Sequence, residues 1–143
     1  MNKLAVIYWS MTGNTKAMAQ AIAQGAEDAG AEVTLTTVSD ITPDQALEHG
    51  LLALGCPSMG VEVLEEEEFE PFFAALEGRL SGRRVALSGS YGWGDGQWMR
   101  DWVARAETAG ADVYQGQGLM VHETPGDAEL EACRQFGAGF VKD

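Results

Sequence analysis

The first apolar run of the chain leads directly into a short loop and then into a helical pattern. The run Leu4–Trp9 is continuous rather than alternating, which is typical of a strand buried on both faces of a sheet. The stretch from Lys16 to about Ala29 has apolar residues at helical spacing and ends before Gly30, a natural residue for a helix C-terminus. A buried strand that feeds a helix in this way indicates an α/β fold with parallel strands.

The loop between this strand and this helix has the composition of an anion site. Unpaired backbone N–H groups and the helix dipole favour an anion at that position, usually a phosphate. No lysine or arginine lies in the loop, so it lacks the lysine of a nucleoside triphosphate P-loop, and its hydroxyls and amides suit a single phosphate monoester. The alternative for its hydroxyl residues is ordinary helix N-capping. This phosphate loop consists of Ser10, Met11, Thr12, Gly13, Asn14 and Thr15.

Strand-like and helical patterns alternate along the rest of the chain. Further strands are predicted at Val33–Val38, Leu51–Leu54, Val85–Leu87 and Leu119–Val121. Helices are predicted at about 67–76, 97–109 and 127–141, with a weak candidate at 43–48. This alternation predicts right-handed βαβ units, with helices on both faces of one parallel sheet. Five strands fit the doubly wound order 2-1-3-4-5 in a three-layer α/β/α domain that spans residues 1–143.

Length and composition are those of one globular domain with a real core. The chain has 143 residues, of which 45% are hydrophobic, and no apolar stretch approaches the ~20 residues of a membrane span. The apolar run that follows Met1-Asn2-Lys3 is too short for a signal peptide. Cys56 and Cys133 lack the spacing of a disulfide framework or a metal site, which favours two reduced thiols. We therefore expect a cytoplasmic protein that binds no membrane.

The charge balance is strongly acidic. The chain has 9 Lys and Arg against 22 Asp and Glu, a net charge of −13. This argues against nucleic acid as a partner, because nucleic-acid binding needs cations that neutralise phosphates. An acidic surface is compatible with steering toward basic partner proteins, although solubility alone is an alternative reason for it.

Two further loops follow the third and fourth predicted strands. Parallel strands of a doubly wound sheet bring such loops to one edge, together with the phosphate loop. A tryptophan between glycines, Trp93, cannot be buried by its own loop, so a flat ligand is expected to cover it. Gly60 suits the positive φ of a tight turn. The three loops predict a pocket for a planar ring with a phosphate tail. The second loop is Gly55-Cys56-Pro57-Ser58-Met59-Gly60-Val61-Glu62 and the third is Ser90-Tyr91-Gly92-Trp93-Gly94-Asp95-Gly96.

In order and spacing, these three loops resemble those of the flavodoxins, specifically the short-chain type of anaerobic bacteria. The acidic segment 64–73 and the pair Trp98-Met99 also match, so the resemblance covers essentially the whole chain. It implies a non-covalently bound FMN and a low-potential one-electron carrier that cycles between semiquinone and hydroquinone, not an enzyme. It also implies a monomer whose redox partner proteins dock through basic patches, with no metal.

The resemblance assigns a role to each loop. The phosphate loop would bind the FMN phosphate, Met59 and Trp93 would cover the two faces of the ring, and Glu62 would accept from flavin N3–H. Alternatives are a solvated Glu62 within the acidic run and a Trp93 that anchors a partner. Glu123 is a loose match near the pyrimidine edge. The implied cofactor-binding residues are Ser10, Met11, Thr12, Gly13, Asn14, Thr15, Pro57, Ser58, Met59, Gly60, Val61, Glu62, Ser90, Tyr91, Gly92, Trp93 and Gly94.

The peptide between Gly60 and Val61 would respond to reduction. In the family, the matching glycine carbonyl turns toward flavin N5 and stabilises the neutral semiquinone. Val61 stands where aspartate is frequent, and a β-branched residue resists positive φ, while Gly60 suits the first central position of a type II′ turn. We hypothesise that Val61 biases this turn toward the carbonyl-up form.

Two other functions are possible for a fold of this class. An FMN-dependent quinone or disulfide reductase would need a substrate cavity over the ring, often built by an insertion or a dimer interface, and the chain shows no insertion. A phosphorylatable receiver domain would need an acidic pair after the first strand and an aspartate at the end of the third. Trp9-Ser10 and Gly55-Cys56 occupy those places, which excludes the receiver domain.

Overall fold

The structure is a computed structural model that describes residues 2–142. A parallel sheet forms the centre of the molecule. Met1 and Asp143, the two ends of the predicted domain, lie outside the described residues. Single turns of 3₁₀ helix span 38–40 and 114–116. The strands and helices, in chain order, are β1 Lys3–Tyr8, α1 Asn14–Asp28, β2 Glu32–Thr37, α2 Pro43–Ala46, β3 Leu51–Gly55, α3 Phe69–Glu77, β4 Arg84–Tyr91, α4 Gln97–Thr108, β5 Asp112–Val113, β6 Leu119–His122 and α5 Asp127–Lys142.

The strand order is β2-β1-β3-β4, with β5 and β6 both paired to β4 at the far edge, and every pair is parallel. This confirms the predicted doubly wound order. In the register, Tyr8 lies opposite Gly55, and Gly55 lies opposite Ser88. The carboxyl ends of β1, β3 and β4 therefore meet at one edge, where the three loops begin.

The fifth sheet position differs from the prediction because two short strands fill it. Gln115 and Gly116 have φ values of 64° and 68° between β5 and β6, and such left-handed backbone cannot continue a ladder. The prediction found only the second of these strands. The pair Asp112–Val113 is too short to show any periodicity.

Helices cover both faces of the sheet, as expected for three layers. Alternate residues of the central strands face opposite ways, so Leu4 and Val6 pack with α1 and α5, whereas Ala5 and Ile7 pack with α3 and α4. The face toward α3 and α4 is aromatic. Trp98 and Trp102 are each 1% exposed and belong to this core.

Element boundaries at the phosphate loop differ from the prediction by one or two residues. β1 ends at Tyr8, although the backbone N–H of Trp9 still donates to the Gly55 carbonyl over 3.0 Å. Helix α1 begins at Asn14, so Asn14 and Thr15 form its first turn rather than a preceding loop. Cys56 and Cys133 are buried free thiols. No helix within residues 2–142 combines the length and apolarity needed to cross a membrane.

Candidate functional site

The phosphate loop bends around the side chain of Ser10. Its Oγ accepts from the backbone N–H groups of Gly13 and Lys16, each over 3.2 Å. Gly13 is the N-cap residue of α1 and has a φ of 96°, which a side chain would disfavour. Ser10 thus performs part of the helix N-capping that is the alternative role of the loop hydroxyls.

Several backbone donors at this helix end have no partner within the protein. Among residues 2–142, the backbone N–H groups of Met11, Thr12, Asn14 and Thr15 have no acceptor in the hydrogen-bond network. These groups stand where the dipole of α1 is positive, so they favour a bound anion. The loop therefore retains the donors that a phosphate would use.

The side chain of Thr15 ties the loop to the sheet. Thr15 is 1% exposed, and its hydroxyl lies 3.0 Å from the Ser90 hydroxyl. It also accepts from the Ser90 backbone N–H over 3.3 Å. This hydroxyl joins α1 to β4 and positions the loop, while the Thr15 backbone N–H remains available to an anion.

The second loop forms a narrow turn. Met59 and Val63 exchange backbone hydrogen bonds of 2.8 and 2.9 Å, which close a loop of three residues. Gly60 has a φ of 51°, so the predicted positive φ is confirmed, and Glu62 has a φ of 56°. The closing pair encloses three residues, rather than the two of the type II′ turn that the sequence suggests. Val61 is outside the left-handed region and is 80% exposed.

A buried carboxylate anchors the chain that leaves the second loop. Glu65 is 7% exposed and accepts from the backbone N–H groups of Glu67, Glu68 and Phe69 over 2.7 to 2.8 Å. Burial alone raises the pKa of the Glu65 carboxyl, but the three donors outweigh it and hold that pKa below its usual value. The backbone N–H of Glu65 donates to Cys56 Sγ over 3.4 Å. Burial raises the pKa of this thiol far above its usual value, which disfavours the reactive thiolate form of Cys56.

The third loop presents an exposed aromatic ring. Trp93 is 62% exposed, which confirms that its own loop does not bury it. The Nε2 atom of His122 lies 3.2 Å from the Gly92 carbonyl, and its ring contacts the Tyr91 ring at 5.0 Å between centroids. These contacts from β6 hold the start of the loop against the sheet.

Glu62 joins the second loop to the third. One of its carboxylate oxygens, Oε1, accepts from the backbone N–H of Gln97 over 2.9 Å and so caps α4. The same carboxylate lies so close to Gly94 that a Cβ there would be 2.6 Å from it. This partner is neither the flavin nor bulk solvent, the two that sequence analysis considered. Nothing in the sequence marks Gln97 as a partner of Glu62, because the two residues are 35 positions apart.

A cavity of about 450 Å³ lies between the three loops at the carboxyl edge of the sheet. Eleven of the predicted residues line it together with Glu123 and Thr124, of which Thr124 was missed because nothing in its local sequence distinguishes it. Six predicted residues do not line it: Gly13, Gly60, Val61, Glu62, Trp93 and Gly94. The eleven that do are Ser10, Met11, Thr12, Asn14, Thr15, Pro57, Ser58, Met59, Ser90, Tyr91 and Gly92.

Comparison with known proteins decides the family. The family model described as flavodoxin matches residues 6–137. The chain is 47% identical to a flavodoxin of Clostridium beijerinckii over 94% of this chain and 96% of that one. It is 42% identical to the flavodoxin of Megasphaera elsdenii over 96% and 97% of the two chains. The chain belongs to the flavodoxin family.

A solved structure supports the same assignment. The solution structure of two-electron reduced Megasphaera elsdenii flavodoxin superposes with a TM-score of 0.88 at 41% identity, and the alignment covers 98% of this chain and 99% of that one. Flavodoxins are electron-transfer proteins that bind FMN, not enzymes with substrates of their own. The predicted family and fold are therefore confirmed.

The residues present fit FMN. Residues with unpaired backbone N–H groups line the cavity, as a phosphate requires, and Met59 and Tyr91 also line it, as an aromatic ring system requires. The volume of about 450 Å³ lies in the range of pockets that hold a molecule of this size. Trp93 lies outside the cavity lining but on the loop that borders it, so its ring is available to cover a bound flavin.

Proposed function

We propose that this flavodoxin is a low-potential one-electron carrier that holds FMN non-covalently and cycles it between semiquinone and hydroquinone, passing electrons between redox partner proteins. The observation that carries the proposal is the cavity itself. Its lining combines backbone amide donors with apolar and aromatic side chains, and within residues 2–142 Glu123 is the one charged residue that lines it. Such a lining suits a bound cofactor, because within the described residues it contains no histidine, cysteine, lysine or pair of carboxylates to activate its hydroxyls.

The phosphate loop would hold the phosphate of FMN. The unpaired N–H groups of Met11, Thr12, Asn14 and Thr15 would donate to its oxygens, with the Thr12 hydroxyl as a further donor. Ser10 already accepts two backbone N–H groups, so its own hydroxyl hydrogen is free to donate. Gly13 supplies the backbone turn that brings these groups together.

The second and third loops would hold the ring. Met59 would pack on one face and Trp93 on the other, while Pro57, Ser58, residues 90–92 and Gly94 would border its edge. The Oε2 atom of Glu62 accepts no hydrogen bond within residues 2–142, so it can accept from flavin N3–H while Oε1 continues to cap α4. Gly60 and Val61 would face the N5 side of the ring.

FMN supplies the redox chemistry, and the surrounding charge would set its potential. Exposed carboxylates of Glu66, Glu67, Asp95 and Glu123 stand on the segments around the ring site. Arg100, which follows the third loop on α4, is paired with Asp95 over 2.9 Å. Negative charge disfavours a further electron on the ring, which makes the fully reduced carrier a strong reductant.

The same charge would guide docking. We propose a monomer that meets basic patches on its redox partners with this acidic rim, and that acts in the cytoplasm, where its two buried thiols remain reduced. Screening by salt would weaken such docking.

A stepwise anaerobic reduction of the purified protein, followed by its visible spectrum, tests the proposal. We expect one FMN per chain and a blue neutral semiquinone at intermediate reduction. Reduction in a single two-electron step, together with steady-state oxidation of NAD(P)H by the protein alone, would instead support a flavin-dependent reductase and overturn the proposal.

A further inference from the structure

The first turn of α1 breaks a rule of helix electrostatics. It contains no acidic residue and carries Lys16, a cation placed at the positive end of the helix dipole. The first turn of α5, by contrast, contains Asp127 and Glu129. A lysine at this position is slightly unfavourable for the helix itself.

Lys16 lies beside the phosphate loop. Its backbone N–H donates to Ser10 Oγ over 3.2 Å, and Lys16 is among the residues that line a second cavity of about 480 Å³. Residues 10–12 line both cavities, so the loop is a shared wall. No carboxylate of residues 2–142 lies within 4.0 Å of the Lys16 ammonium group, and four of the arginines do have such a partner.

The neighbourhood of Lys16 is otherwise acidic or neutral. Glu68 also lines the second cavity, where it accepts from Trp9 Nε1 over 3.2 Å. The remaining polar side chains of this cavity are hydroxyls. In a chain with a net charge of −13, Lys16 is the cation nearest in sequence to the unpaired amides of the loop.

We propose that Lys16 is a further cofactor-binding residue, which attracts the phosphate of FMN electrostatically across the loop and favours phosphorylated over unphosphorylated flavin. This rests on the proposed function of the loop. Lys16 need not contact the phosphate directly. At low ionic strength a cation still attracts the two negative charges of a phosphate over a distance of up to about 10 Å. The cation also offsets part of the repulsion between the phosphate and the acidic chain.

The test measures dissociation constants of FMN and of riboflavin, which lacks the phosphate, by quenching of flavin fluorescence on the full-length apoprotein. Lys16→Gln should weaken FMN binding about threefold at low ionic strength and leave riboflavin binding unchanged. The loss should shrink as salt is added, and Lys16→Arg should bind FMN as the original chain does. Lys3→Gln is the matched control, because it removes the same charge at the opposite end of β1.

Thermal unfolding of the apoprotein is a second measurement, in which the same substitution should be favourable rather than unfavourable. Without flavin, Lys16→Gln should melt at a slightly higher temperature, since the unfavourable interaction with the helix dipole is removed. Equal losses for FMN and riboflavin, or equal effects of Lys16→Gln and Lys3→Gln, would overturn the inference. If the original chain binds FMN and Lys16→Gln binds it equally well, this inference alone fails. If the original chain does not bind FMN, the proposed function fails first.

Discussion

The phosphate loop and the two ring loops are built in opposite ways. The phosphate loop rests on buried parts, since Thr15 and Ser90 are 1% and 6% exposed and their hydroxyls are bonded to each other. The ring loops end in exposed side chains, with Val61 80% and Trp93 62% exposed. One end of the cofactor would meet a fixed set of donors, and the other would meet surfaces with room to move.

This difference separates two tasks. Groups that bind a phosphate work best when the scaffold holds them in place before binding. Groups that adjust a redox potential must change position with the redox state of the ring, and weakly packed turns change conformation at a small cost in free energy. Substitutions of the buried residues that support the loops should therefore cost stability, whereas substitutions at the exposed tips of the ring loops should change affinity or potential.

The largest effect is expected at Gly89, where β4 passes close to the end of β3. A Cβ at this position would lie 2.1 Å from the Cys56 carbonyl oxygen, so Gly89→Ala must separate backbone segments under the site. We expect a loss of about 3 kcal/mol in the free energy of unfolding, measured by denaturant titration. Gly50→Ala is the control, because no atom lies within 4 Å of its added Cβ. Equal losses for the two variants would contradict this account of the packing.

The next effect concerns the buried anchor of the second loop. Glu65→Gln keeps one carbonyl oxygen but turns an amide group toward a backbone N–H, at a cost of about 2 kcal/mol near neutral pH. Because the folded pKa of Glu65 is depressed, its stabilisation is complete above the ordinary carboxyl pKa and is lost as pH falls through the folded value. Denaturant titrations at several pH values should show the difference between the two proteins shrinking in acid. A difference that is constant or grows would disprove the assignment.

A smaller loss of stability is expected at Thr15. Thr15→Val preserves the shape of the side chain but leaves the Ser90 hydroxyl and N–H without this partner, at a cost of about 1 to 2 kcal/mol. Because the phosphate loop would be displaced, the variant should also lose more affinity for FMN than for riboflavin. The exposed Thr108→Val, at the end of α4, serves as the control. A variant that loses affinity for both flavins equally would show that Thr15 does not act on the phosphate end.

Trp93 should show the opposite pattern. Trp93→Ala should leave the free energy of unfolding of the apoprotein nearly unchanged, because the ring is largely exposed. Loss of stacking, worth about 0.5–1.5 kcal/mol, should weaken FMN and riboflavin to the same degree, by up to about tenfold. Trp93→Phe should restore part of the affinity. A variant with unchanged affinity for both flavins would place Trp93 outside the ring site.

The smallest effect is expected at Val61 and concerns only the redox potential. Val61→Gly removes the β-branched side chain that disfavours positive φ, so the carbonyl-up form of the turn should lose part of its advantage. The potential of the first electron should fall, while Val61→Ile should leave it unchanged. Spectroscopic redox titration measures both. An unchanged or raised potential in Val61→Gly would contradict the hypothesis that Val61 favours the carbonyl-up form of the turn.

Most of the fold and much of the site follow from the sequence, for definite physical reasons. Leu4–Trp9 and Leu51–Leu54 are continuous apolar runs that leave little choice of structure, and Ser10, Gly13 and Gly60 mark turns by residue type. The division of the fifth strand was not predictable, because a left-handed Gln115 has no distinctive composition.

Contacts between distant segments were beyond sequence reasoning. The bonds from Glu62 to Gln97 and from Glu65 to three following backbone groups depend on how loops cross, and an acidic run looks the same whether solvated or buried. His122 reaches Gly92 only because β6 pairs with β4, a register that no local pattern reveals.

The central claim is that the unpaired amides of the phosphate loop hold the phosphate while the exposed loops hold the ring. Amide-resolved NMR of the labelled protein, recorded without ligand, with FMN and with riboflavin, tests this most directly. We expect FMN to shift the amide protons of Met11, Thr12, Asn14 and Thr15, and riboflavin to shift only those of the ring loops. Phosphate-loop amides that stay unchanged on addition of FMN, or that respond equally to riboflavin, would contradict the account.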